Sequence, residues 1–234
     1  MQYFLAGYYV ISKNPLGFGS LNGTVIHTCS TCINDSLLDH WSYSWTTDNN
    51  SYVNEIKEKY QMDDNGVNAI REWTDKALDD KKIGWINLFK DLPAAQEYVG
   101  NFFSHLPDVH IFSVYFSESE VEALIQAFPP PVENSAHIGL YENLIKKISE
   151  TESGQEAFIG FDIIGVELDG SFHSFHCHDI SVELSDRFVL SLNNYGLFKE
   201  HTDWRPIAEY MNDQENGFEP VPWFVCKIKI VERL

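Results

Sequence analysis

Residues 109–131 read VHIFSVYFSESEVEALIQAFPPP, and the pattern changes period midway through them. Residues 109–116 are almost wholly β-branched and aromatic, the composition of a strand. From Ser117 the spacing lengthens: Val121, Leu124, Ile125 and Phe128 fall at i, i+3, i+4 and i+7, one core-facing helical stripe. Ser117 and Glu120 form an S-x-x-E box, in which each side chain satisfies a free amide at the helix start. Pro129-Pro130-Pro131 end the helix, because proline lacks the amide donor and restricts the residue before it.

The same mixture of periods continues in both directions. Upstream, residues 3–12 are apolar on both alternating faces, as in a strand covered on two sides. Pro15, Gly17, Gly19 and Gly23 mark a loop, followed by an aromatic segment (Trp41, Tyr43, Trp45) and a polar run from Thr46 to Ser51. Val67, Ile70, Thr74, Ala77 and Leu78 recur at helical spacing, and a further helix follows Asp91 with Pro93 in its first turn. Downstream, a helix carries Ile138, Tyr141, Leu144, Ile145 and Ile148 on one side. Strands at 158–168 and 171–177 flank Asp169-Gly170, a strong signal for a two-residue hairpin turn. That loop pairs Leu168 with Ser171, Ile164 with Phe175 and Asp162 with Cys177. Trp204, Ile207, Ala208 and Met211 mark a helix, and residues 222–231 a closing strand with Phe224, Cys226, Ile228 and Ile230 on one face. The expectation is α+β: a mixed or mainly antiparallel sheet with helices packed against it, in a single domain over 1–234. The Pro-rich stretch at 129–136 is the one candidate sub-boundary and reads as a loop within that domain.

The composition is that of a globular chain, with 44% apolar and 14% aromatic residues. At this length neither a metal nor a disulfide is required for stability. Four cysteines are too few for a disulfide scaffold, no basic start precedes the apolar N-terminus, and no apolar run reaches bilayer-spanning length. A cytoplasmic protein with reduced thiols is expected. Thirty-five Asp and Glu against 16 Lys and Arg argue against nucleic acid or an anionic membrane as partner.

Candidate chemistry is sparse. Cys29 and Cys32, with His27 before them, supply half a zinc site, and His173, His176, Cys177 and His178 could supply the rest. If residues 171–177 are a strand, His176 and His178 point away from His173 and Cys177, so no face gathers four ligands. No metal and no cofactor are therefore expected. Asp162, His173 and Cys177 share a face in the hairpin, which invites a Cys-His-Asp nucleophile reading. Ile164, Val166 and Phe175 occupy that face too, so it reads as core, and no catalytic residue is assigned. An enzyme using the 160–178 hairpin is the competing expectation.

Charge is the informative feature. Residues 91–186 hold 17 acids and two bases, a net −15, against −4 for the other 138 residues. Helix starts and solubility explain acids such as Glu118 and Glu120. They do not explain near-absence of lysine over 96 residues, since ordinary surfaces mix both signs. A concentrated negative field suits capture of a cationic partner. Glu118, Glu122, Glu133 and Glu142 are the candidate partner-binding residues. Gly160-Phe161-Asp162-Ile163-Ile164-Gly165, Phe172-His173-Ser174-Phe175 and Asn193-Asn194-Tyr195-Gly196-Leu197 resemble segments of acidic bacterial toxin-immunity proteins. The resemblance implies a binding protein that neutralises a basic toxin or effector domain by covering its functional surface. It implies no particular interface residues, because immunity interfaces diverge with each toxin. An acidic DNA mimic is a further alternative.

Overall fold

The structure is a computed structural model that describes residues 2–15, 22–37, 51–84, 88–128, 143–150, 155–167 and 172–231. Its strands are β1 (Tyr3–Ser12), β2 (Asp35–Ser36), β3 (Ile83–Gly84), β4 (Leu88–Phe89), β5 (Val109–Ser117), β6 (Glu156–Val166), β7 (Phe172–Ser174) and β8 (Trp223–Val231). They form one sheet in the order β3-β4-β1-β5-β8-β6-β7, with β2 also on β1. Every pairing among these strands is antiparallel. The helices are α1 (Ser51–Lys59), α2 (Asp64–Asp79), α3 (Leu92–Phe102), α4 (Glu118–Ala127), α5 (Ile180–Arg187) and α6 (Arg205–Asn212). The fold is α+β, and no helix among the described residues is long and apolar enough to cross a membrane.

Strand alternation divides the core between the two faces of the sheet. On one, Phe4, Phe112, Phe116, Phe224 and Cys226 pack with Val121 and Leu124 of α4, the stripe read from the sequence. On the other, Val10, Ile111 and Tyr115 meet α2 and α3 through Val67, Ile70 and Tyr98. Further along that second face, Phe161, Ile163 and Val225 meet Ile180 and Leu184 of α5 and Ile207 and Met211 of α6. Between these two packed regions β8 turns Lys227 and Lys229 toward Glu150 and Glu156. Lys227 Nζ lies 2.6 Å and Lys229 Nζ 2.6 Å from Glu150 Oε1, and Tyr115 donates to Glu156 at 2.7 Å.

Three local expectations change. The capping box is half formed: Ser117 Oγ accepts from the Glu120 amide at 3.4 Å, while the Glu120 carboxylate instead accepts from the Val225 amide at 3.3 Å. The helix expected through Ile148 stops earlier. Lys147 takes a positive φ of 48°, Ile145 and Ile148 are exposed, and residues 148–150 run beside β1, with the Leu5 amide bonded to Ile148. The hairpin register shifts by one: Ile164 faces Ser174, Gly165 faces His173 and Val166 faces Phe172. A one-residue slip reverses every facing, so His173 leaves the face of Asp162. The Asp169-Gly170 turn lies outside the described residues, as do Trp41, Tyr43, Trp45, the three prolines, Ile138 and Tyr141.

Candidate functional site

Strand β7 ends at Ser174, well short of the expected Cys177, because the chain folds into a 3₁₀ turn over Cys177–Asp179. His178 and Asp179 adopt positive φ values of 51° and 62° there, which reverses the direction of the chain before α5. The chain already turns at Phe175-His176, and the Ser174 amide donates to Cys177 Sγ at 3.3 Å, which holds that thiol against the end of β7. Strand alternation no longer applies to Cys177, so the expected separation of the ligand candidates by strand face does not describe this site.

The 28–34 loop supplies the opposite wall. The Thr31 amide bonds to the Phe172 carbonyl at 3.2 Å, which ties the loop to β7. Asn34 Nδ2 donates to the carbonyls of Ile26 and Thr28 at 2.9 and 2.8 Å and holds the loop closed on itself. Within it the two cysteines part company: Cys29 is buried in the core and Cys32 is exposed. Cys32 Sγ lies 3.3 Å from His173 Nδ1. Ser30 Oγ accepts from the Cys32 amide at 3.3 Å and lies 3.2 Å from Cys177 Sγ. His173 Nε2 lies 3.1 Å from Glu167 Oε1, and its Nδ1 3.2 Å from Glu219 Oε2.

These neighbours set the protonation of the group. Hydrogen bonding from Cys177, then from His173, pulls the Cys32 thiol down to about 4 against the opposing effect of burial. Cys32, helped by Glu219 and Glu167 and opposed by burial, lifts His173 to about 9. The Cys32 contact, followed by burial, raises the Cys177 thiol. Cys32 and His173 therefore form a thiolate–imidazolium pair at the surface, with Cys177 as the buried protonated partner.

Asp162 belongs to a separate cluster. It is fully buried, and accepts from the Thr28 hydroxyl and from Ser174 Oγ at 3.1 Å. Burial lifts it to about 7, with the two hydroxyls and the Ile163 amide acting against that rise. The Cys-His-Asp constellation of the competing expectation is thus not assembled: His173 meets Glu167 and Glu219, and Asp162 meets hydroxyls. His176, also buried, bonds through Nε2 to the Gly196 carbonyl at 2.7 Å. The Asn193–Leu197 turn lies against β6, where Gly160 has a φ of 147° and a Cβ would sit 2.5 Å from that of Leu197. The 172–174 strand thus pairs with the C-terminal end of β6, and the 193–197 turn lies against its middle.

The acidic candidates lie elsewhere. Glu118 and Glu122 are exposed on α4, Glu118 in an ion pair with Lys147 at 2.5 Å. Glu133 and Glu142 lie outside the described residues. Cys32, His173 and Cys177 are all among the ligand candidates read from the sequence, and the structure brings these three together without Cys29, His176 or His178. The positive-φ turn has its signal in the polar His178-Asp179 pair. Compared with known proteins, the chain matches no family model, no curated protein and no solved structure.

Proposed function

We propose that this protein is a binding protein that captures a strongly basic protein domain, in the manner of a toxin-immunity protein. The observation that carries the reading is the concentration of −15 of the −19 net charges in residues 91–186. Among the described residues, lysines pair with only part of that charge: Lys82 meets Glu97 and Lys147 meets Glu118 at the surface. Glu150 and Glu156 are met by Lys227 and Lys229 between the packed regions. Glu122, Asp179, Glu183 and Asp186 are exposed and have no ion pair among the described residues. Acids on α4 and α5 sit on helices that cover opposite faces of the sheet, so the unpaired charge is not confined to one face. A field of that breadth steers a cationic partner during encounter, while the affinity rests on a few desolvated anchors.

The Asp162–His173–Cys177 relay on which the enzyme alternative rests is not assembled, so the charge distribution is the feature on which the immunity reading is preferred. The test is co-expression with the basic C-terminal domain of a toxin-like protein encoded beside this chain's gene. Restored growth together with a co-purifying complex is the expected outcome. Continued toxicity with no complex, at equal expression of both proteins, contradicts the reading.

A further inference from the structure

Cys32, His173 and Cys177 come from a loop, a strand and a turn, the first two 141 positions apart in the chain. One potential ligand atom from each lies within 4.8 Å of the others, and Cys32 Sγ and His173 Nδ1 are 3.3 Å apart. Zinc bonds of about 2.3 Å to thiolate and about 2.0–2.1 Å to imidazole place tetrahedral sulfur and nitrogen ligands about 3.5 Å apart. We propose that Cys32, Cys177 and His173 bind a Zn²⁺ ion, with the fourth position open to water or to the Glu219 carboxylate.

The surroundings are those a zinc site uses. His173 turns Nδ1 toward the cysteines and Nε2 toward Glu167 Oε1 at 3.1 Å, an arrangement in which the carboxylate fixes the ring and its ligating nitrogen. Cys177 Sγ accepts from the Ser174 amide at 3.3 Å and has Ser30 Oγ 3.2 Å away, so a thiolate there is supported by protein donors. Glu219 Oε2 is buried, has no hydrogen-bond partner among the described residues, and lies 3.2 Å from Nδ1. Two sulfurs and an imidazole select zinc over magnesium or calcium, which take oxygen ligands. The ion would pin the 28–34 loop to the β7 turn, so its binding adds directly to folded-state stability. This site is independent of the acidic surface and of the partner-binding reading.

The test is elemental analysis of protein purified without chelator, followed by stripping and reloading with Zn²⁺ or Co²⁺. About one zinc per chain is expected, with a melting temperature that rises on reloading and a thiolate charge-transfer band in the Co²⁺ form. Cys32→Ser changes an exposed side chain and should keep the far-UV spectrum while losing all three signals. His173→Asn provides a second variant outside the loop and should lose them as well. Wild-type protein that takes up neither ion overturns the proposal, as does a folded Cys32→Ser variant that retains the metal. Isolation of the native protein with Cys32 joined to Cys177 in a disulfide overturns it too, and would assign the pair to thiol redox chemistry.

Discussion

Asp162 is a buried carboxyl whose hydrogen-bond donors are all neutral, and its proton makes stability depend on pH. Its pKa is about 7 in the folded chain and about 3.9 when unfolded. The native state therefore binds the extra proton between these values, and stability is lost as pH rises from about 4 through about 7, by at most about 1.4 kcal/mol per pH unit. Cys32 and His173 do not add to this in the metal-free protein. From about pH 6.5 to about 8.5 the folded pair holds one proton on the imidazole, and the unfolded chain holds one on the thiol. His27 and His176, both held down to about 4 chiefly by burial, act in the opposite direction below about pH 6.5, where only the unfolded chain protonates them. The melting temperature of metal-free protein should therefore rise from pH 8 to about 6.5 and fall again toward pH 5. Calorimetry of Asp162→Asn should show a flatter profile over the upper range. An unchanged rise in that variant would place its origin in the overall negative charge instead.

At the level of elements, sequence reading works where one period runs uninterrupted. The β5–α4 junction is legible because the stripe from Val121 to Phe128 follows a strand without a gap, and both halves are buried as that pattern requires. β8 is legible for the same reason, with Phe224, Cys226 and Ile228 on one packed face. What is not legible depends on tertiary contacts. A single-residue difference in the hairpin decides whether His173 faces Asp162 or Cys32, and residues 171–177 carry no local mark that the strand stops at Ser174. Nor does alternation show that Lys229, on the polar side of β8, is 6% exposed and set against Glu150 and Glu156. Lys229→Met should destabilise the fold by about 3 kcal/mol, because it leaves the buried Glu156 carboxylate without its cation while Glu150 keeps Lys227. Urea denaturation measures this directly, and a loss under about 1 kcal/mol would mean the pair behaves as a surface ion pair. Gly160→Ala tests the seat of the 193–198 turn. A methyl group there meets Leu197 at 2.5 Å on a backbone with φ of 147°, so a loss of about 1–3 kcal/mol is expected in the same experiment.

Over the whole molecule, the α+β class was readable from mixed periodicities, and the strand order was not. Pairings such as β5 with β8 join segments more than a hundred residues apart and leave no local signature. Charge is different, because it acts over distances that do not require the register to be known. For the proposed basic partner, this field should govern how fast it arrives, while desolvated anchors govern how long it stays. The most direct test is the association rate of the basic domain with wild-type protein and with a folded variant carrying Glu118→Gln, Glu122→Gln and Glu133→Gln, measured across ionic strength. Wild type should associate at up to about 10⁸–10⁹ M⁻¹s⁻¹ at low salt and slow steeply as the screening length shrinks to about 8 Å near physiological salt. The variant should associate more slowly with a shallower salt slope and a nearly unchanged dissociation rate. Equal rates and equal slopes for the two proteins would contradict the account and reduce the acidic region to a solubility feature.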